Sequence, residues 1–213
     1  MQLPYIGIDG MEADDIIASA AVELSQNGTE SIIVSSDKDL VQLLSHKEVK
    51  MYDAMKGKSI GPQEVIEKYG INPTQMLDYL SLLGDASDFV PGVRGIGAKG
   101  AATLLQKYDS LDGIYDNLEQ LTPRQQKLLE EGRESAELSR RLITLKSDLD
   151  LMSEGDAAFA FKGLQHESFA EFLHAMGFSS LIKKLGLTDL AAKHGEHQTK
   201  EVPLKEVGID VID

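Results

Sequence analysis

The chain has 213 residues, enough for a substantial core in one domain or one and a half. Hydrophobic residues make up 42% and charged residues 26%, which excludes a disordered chain, and no apolar run approaches the ~20 residues of a membrane span. The absence of Cys excludes disulfides, thiolate metal sites and Cys nucleophiles and suits a reducing cytoplasm, while a formal net charge of −14, taken alone, counts against nucleic acid as a partner.

The opening Met1–Pro4 has neither the basic nor the apolar region of a secretory signal. Leu3 to Ile8 reads as a short strand entering a turn at Asp9-Gly10. Ile16, Ile17, Ala20, Ala21 and Leu24 share one face of a helix over 13–26, and Asn27-Gly28 supplies its stop. Ser31 to Ser36 is a buried strand ending at Asp37, followed by a helix over about 39–45 and a strand at 49–52. This alternation implies an α/β fold with a parallel sheet, whose ligands gather beyond the carboxyl ends of the strands.

After Gly61-Pro62 the pattern becomes helical. Helices are expected over 62–69 and 73–83, each opened by Pro in its first turn, then over 98–108, 123 to about 146, and 166–185. The last carries Phe169, Phe172, Leu173 and Met176 on one stripe, most simply a core face. From Thr188 the chain is polar and reads as a linker or tail. The expected division is therefore an α/β portion over 1–90, a helical portion over 91–187, and a tail over 188–213.

Seven carboxylates fall into three knots: Glu12, Asp14 and Asp15; Asp37 and Asp39; Asp85 and Asp88. The first fits the acidic opening turn of a helix, and the third fits a helix end followed by a turn. The second is harder to dismiss, because an N-cap needs one Asp and a second stands two residues on. Gathered at one sheet edge they would repel strongly, since two unit charges ~5 Å apart at an effective dielectric of ~20 cost ~3 kcal/mol. Such a site needs a cation. Hard oxygen donors without Cys or clustered His point to Mg²⁺ or Mn²⁺, and a two-metal site of this kind serves phosphoryl chemistry.

A basic island lies close by. From Pro91 to Tyr108 the chain carries Arg94, Lys99 and Lys107 with no Asp or Glu. Gly95-Ile96-Gly97-Ala98-Lys99-Gly100 matches G-x-G-x-x-G literally, but the dinucleotide motif requires a preceding strand and a Pro-Gly loop stands there instead. A dinucleotide-binding oxidoreductase is disfavoured on that ground. The glycines and the exposed N–H groups of the following helix suit a hairpin between helices that grips a nucleic-acid backbone without reading sequence.

Glu-Ala-Asp-Asp at 12–15, Ser-x-Asp-Lys-Asp at 35–39, Gly-Asp-x-Ser-Asp at 84–88 and Pro-Gly-Val-x-Gly-Ile-Gly-x-Lys at 91–99 stand in order and spacing. Together they resemble the 5′-nuclease domain of bacterial DNA polymerase I, related to the flap endonucleases, over roughly residues 3–185. The resemblance implies a metal-dependent 5′→3′ exonuclease and flap endonuclease acting on DNA in replication and repair. It carries the metal-binding carboxylates over to Glu12, Asp14, Asp15, Asp37, Asp39, Asp85 and Asp88. The DNA-holding helix–hairpin–helix, often with a K⁺ ion, carries over to Gly92, Gly95, Gly97 and Lys99, with Arg94 beside them. It also implies a preceding part, with a first strand ending in a metal-binding Asp and a basic arch. Ile8-Asp9-Gly10 lies too close to Glu12 to be that element. The chain is thus expected to be the latter two-thirds of the nuclease domain with the start of a linker toward a polymerase. By itself it is expected to have little or no nuclease activity. The alternative is a non-catalytic duplex-DNA-binding remnant.

Two further signals are set aside. His194 and His197 have ligand spacing but no third ligand, and Arg133, Arg140 and Arg141 alternate with glutamates on an ion-paired helix face.

Overall fold

The computed structural model describes residues 5–151, 161, 163 and 165–192. These belong to two compact units, Ile6–Ser153 and the unit formed by Glu154–Asp213 with Met1–Tyr5. The first unit opens with α1, Ala13–Gln26, which buries Ala18, Ala21 and Val22 and ends at Asn27 before Gly28 at φ +71°. Strand β1, Ser31–Val34, pairs parallel with β2, Val49–Asp53, in the register Ser31 opposite Val49, as the strand–helix–strand alternation implied. The crossover between them, Asp39–Ser45, is a 3₁₀ helix rather than an α-helix. Its buried residues explain the tighter winding: Leu40 and Leu43, and Val41 and Leu44, lie three apart, and a three-residue repeat puts each pair on one face.

A third strand, β3, Lys58–Ile60, was not expected. It returns antiparallel along β2, with Met51 opposite Ile60, so the small sheet is mixed. Asp53 shapes the turn between them, its Oδ1 accepting the N–H groups of Met55 and Lys56, both at 3.0 Å. The expected strand over 3–8 does not form in Ile6–Ile8, where no described strand offers a ladder and the chain instead turns, Met11 N–H to Ile8 O at 3.1 Å. Leu3 and Pro4 lie outside the described residues.

Helix α2, Pro62–Tyr69, stops at Gly70, whose φ of +72° suits the left-handed cap. A 3₁₀ turn, Pro73–Gln75, leads into α3, Met76–Leu83. Helix α4, Ala98–Tyr108, follows the glycine loop, then α5, Leu111–Asp116, and α6, Pro123–Ile143, whose start is held by the reciprocal Thr122–Gln125 capping box. Helices α3 and α6 pack along each other, and one continuous core runs from α1 and the sheet through Met76, Leu80, Leu105 and Leu129. Beyond α6 the chain crosses α1, where Leu149 N–H donates to Ser19 Oγ at 3.2 Å.

In the second unit α7, His166–Ala175, α8, Ser179–Lys184, and α9, Thr188–Ala192, surround Phe169, Ala170, Leu173, Ile182 and Leu187. The single helix expected over 166–185 is broken at Gly177, φ +72°. The stretch expected as tail from Thr188 opens with α9, because Leu187 and Leu190 have a small core to join. His194 and His197 lie outside the described residues. Among the described residues no helix is long and apolar enough to cross a membrane.

Candidate functional site

The carboxyl end of β1 leads through Ser35 and Ser36 to Asp37, whose Oδ1 accepts the Asp39 N–H at 2.9 Å and so turns the chain into the 3₁₀ helix. The start of α1 brings Asp14 beside it, and the loop after α3 brings Asp85 and Asp88. Asp14 is pushed up by burial and by the negative charges of Asp37, Glu12, Asp15 and Asp88. Asp39 is pushed up to about 6, first by burial and then by Asp37, with Asp85 and Asp88 adding. Asp88 is raised by its hydrogen bond and charge contact with Asp85. Three segments far apart in sequence therefore place carboxylates in one electrostatic neighbourhood at the edge of the sheet.

One cation answers them from within. Lys38 Nζ bonds Asp85 Oδ2, while Asp85 Oδ1 accepts from Ser87 N–H at 2.9 Å and Ser87 Oγ at 2.6 Å. These bonds, Lys38 first, hold the Asp85 carboxyl well below the usual range. The Lys between two acids in Asp37-Lys38-Asp39 was visible in the sequence, but its reach to Asp85 was not.

Asp15 adds its charge to Asp14 but is also bonded on the other side of α1. It is 8% exposed, and its Oδ1 accepts the Lys146 N–H at 2.9 Å with Lys146 Nζ 3.8 Å from Oδ2. It ties the segment after α6 to α1, a use that its place among three acids did not signal. Glu12 is exposed just before α1 and makes no side-chain cap bond. Among the described residues, no three His, Asp or Glu side chains stand close enough together to hold one ion.

The glycine loop connects this edge to α4. Val93 and Ile96 are buried and anchor it; Arg94, Gly95, Gly97 and Lys99 are exposed. Gly92 at φ +60° packs backbone to backbone on Leu83 and Gly84, where a Cβ would fall 2.5 Å from the Gly84 nitrogen, so only glycine fits. Its N–H donates to Ser139 Oγ of α6 at 2.9 Å. Gly97 precedes α4 in extended conformation without a side-chain cap, so the first-turn N–H groups beside Lys99 face outward for an anion.

Fold and site together define a class: a small α/β sheet with an acidic edge, continued directly into a helical hairpin module with an exposed glycine-rich loop. Two family models match end to end, the 5′-3′ exonuclease N-terminal resolvase-like domain over residues 1–70 and the 5′-3′ exonuclease C-terminal SAM fold over 71–167. The chain belongs to the 5′-3′ exonuclease family. It is 36% identical over 206 residues to a DNA polymerase I of Caldicellulosiruptor bescii, covering 94% of this chain and 24% of that protein. It is 43% identical over 150 residues to a flap endonuclease Xni of Shewanella halifaxensis, covering 70% of this chain and 59% of that one. The chain thus spans about a quarter of the polymerase and less than two-thirds of the flap endonuclease. Among solved structures a T5 5′-exonuclease superposes with a TM-score of 0.62 at 23% identity, covering 74% of this chain and 66% of that one, a likeness of fold.

Proposed function

We propose that this chain contributes to divalent-metal-dependent hydrolysis of DNA phosphodiesters at 5′ ends, as a 5′-3′ exonuclease and flap endonuclease within a DNA polymerase I-like protein of replication and repair. The observation that carries the reading is the acidic edge, where Asp14, Asp37, Asp39, Asp85 and Asp88 are gathered with Lys38 as the cation among them. The donor set fits a hard cation: every donor is a carboxylate oxygen, and burial with the neighbouring negative charges raises Asp39 to about 6. Asp14, Asp37, Asp39, Asp85 and Asp88, with Glu12 beside them, would hold Mg²⁺ or Mn²⁺. Such an ion supplies a water of lowered pKa and stabilises developing negative charge on the leaving oxygen. A K⁺ ion at the Gly92–Gly97 loop is part of the same reading.

The chain's own residues do the positioning. Exposed N–H groups at Gly97 and the start of α4, with Arg94 and Lys99, hold backbone phosphates of duplex DNA without regard to sequence. Lys38 fixes the Asp85 carboxylate in its ionised form. Asp15 keeps α1 in register, so that Asp14 stays turned toward the edge.

A second reading is favoured by one observation, the lack of three described carboxylates close enough to share an ion. On that reading the chain grips duplex DNA without cutting. Labelled 5′-flap DNA incubated with Mg²⁺, Mn²⁺ or EDTA, beside salt titrations of uncut duplex, separates the two. Product that requires the metal and vanishes in Asp37→Asn supports hydrolysis. Salt-sensitive binding with no product under any metal supports the gripping role, and absence of both overturns the assignment.

A further inference from the structure

The loop between the acid edge and the hairpin ends on a residue that its backbone does not favour. Asp85 and Val90 pair through two backbone bonds, Asp85 N–H to Val90 O at 2.9 Å and Val90 N–H to Asp85 O at 2.8 Å. Behind that pair, Gly84 and Gly92 touch backbone to backbone. Four residues, Ala86 to Phe89, must therefore reverse the chain. Phe89 closes the turn at φ +57°. Closing positions of this kind go to Gly, Asn or Asp, and a bulky aromatic there is an outlier.

Packing does not account for the ring either. Phe89 is 91% exposed and joins no part of the core. A lone exposed apolar residue needs no explanation, but one held in a disfavoured backbone conformation points to a use outside the fold. Its place is specific: Asp88 precedes it, and Gly92 of the hairpin follows three residues on.

We propose that Phe89 is a stacking platform for a nucleobase of the DNA strand passing between the hairpin and the acidic edge. The inference rests on the DNA-binding reading above and adds to it a base contact at the point where the strand is to be cut. An exposed phenyl ring offers a face to any base and has no hydrogen-bonding group with which to choose among them. It would hold the strand's position without imposing a sequence, in keeping with a hairpin that touches only backbone.

The test uses the full chain in EDTA, so that nothing is cleaved, and fluorescence anisotropy on two 5′-flap duplexes. One is intact, and the other is abasic at the two nucleotides spanning the flap junction. The wild-type chain should bind the intact substrate about tenfold more tightly than the abasic one. Phe89→Asn should lose that tenfold on the intact substrate and bind the abasic one unchanged. It should also melt about 2–4 °C higher, because Asn accepts the left-handed conformation. Phe89→Trp, which keeps a ring, should still discriminate. Equal binding of both substrates by wild type and Phe89→Asn overturns the proposal while leaving the DNA-binding reading intact. A lower melting temperature in Phe89→Asn overturns it by showing that the ring packs within the protein. A wild-type chain that binds neither duplex overturns both readings together.

Discussion

Two groups of carboxylates in the same unit are balanced in opposite ways. At the seam between α3 and α6, Arg140 lies between Asp78 and Asp112, its Nε 3.4 Å from Asp78 Oδ1 and its Nη1 3.0 Å from Asp112 Oδ1. Asp78 Oδ2 also accepts the Leu111 N–H at 2.9 Å. Burial raises Asp78, but a hydrogen bond and a cation oppose the rise. At the sheet edge, five carboxylates share one lysine, and that lysine is committed to Asp85. The seam's charges are answered inside the fold and hold helices together. The edge's are not, and a cluster that raises its own pKa values lowers stability. Negative charge left unanswered marks the part of the molecule that waits for something from outside.

The sharpest way to break this contrast is to neutralise one acid on each side. Asp14→Asn should reduce any Mg²⁺-dependent flap cleavage by at least about 100-fold without lowering the melting temperature, because burial and the neighbouring charges already raise the Asp14 carboxyl. Asp78→Asn, which breaks the contact with Arg140, should leave cleavage per folded molecule within about threefold. Loss of folding in the first, or of cleavage in the second, would mean the two clusters have been assigned the wrong way round.

Next in size is the seam's own cation. Arg140→Ala leaves Asp78 without its charge partner inside the protein. A fully buried pair broken in this way costs about 3–5 kcal/mol, and Arg140 keeps about a third of its surface in water, so about 2–3 kcal/mol is expected. Urea unfolding should show a lower midpoint at unchanged slope. Adding Asp78→Asn to Arg140→Ala should recover part of the loss, since the stranded charge is then gone. A smaller effect comes from steric contact on the same helix. A Cβ at Gly132 would meet Val93 Cγ1 at 2.7 Å, and Val93 is the buried anchor of the hairpin loop. Gly132→Ala should therefore cost about 1–2 kcal/mol by overpacking and weaken duplex binding more than it alters the acid edge.

The same contrast explains how much the sequence made legible. The acid knots stood out because like residues cluster beside turns, and the β1–β2 alternation placed Asp37 at a strand end. The hairpin could be found from its glycines, since Gly92 needs both positive φ and room for backbone contact. What escaped was set by distance along the chain or by brevity. Asp15 meets Lys146 across 131 positions, and nothing near residue 15 announces it. Lys38 reaches an acid 47 residues on, and Arg140 reaches Asp78 across α3 and α6. Strand β3 has three residues, two of them polar, and α5 has six, too few for either periodicity to register. Phe89 reads as an ordinary apolar residue until its φ is known.

The acid edge can also be probed without changing its shape, through pH. In the folded chain Asp39 keeps its proton up to about 6, whereas the unfolded chain releases it near ~3.9. Between those values the folded state binds more protons, so stability falls as pH rises through this window, and the penalty is complete above about 6. Asp14 and Asp88 act in the same direction. Asp85 acts oppositely, because its lowered carboxyl stabilises the fold at neutral pH and loses that contribution only in strong acid. Since Asp39 is only half buried, its share is about 1 kcal/mol. In EDTA, Asp39→Asn should therefore be more stable than wild type at pH 7.5 by about that amount, and the difference should vanish at pH 4. Mg²⁺ at pH 7.5 should raise the melting temperature of the wild type and leave that of Asp39→Asn nearly unmoved, because only the wild type has the full set of carboxylates to bind it. Parallel pH profiles for the two proteins would show that the edge carries no unanswered charge, and the contrast with the α3–α6 seam would be lost.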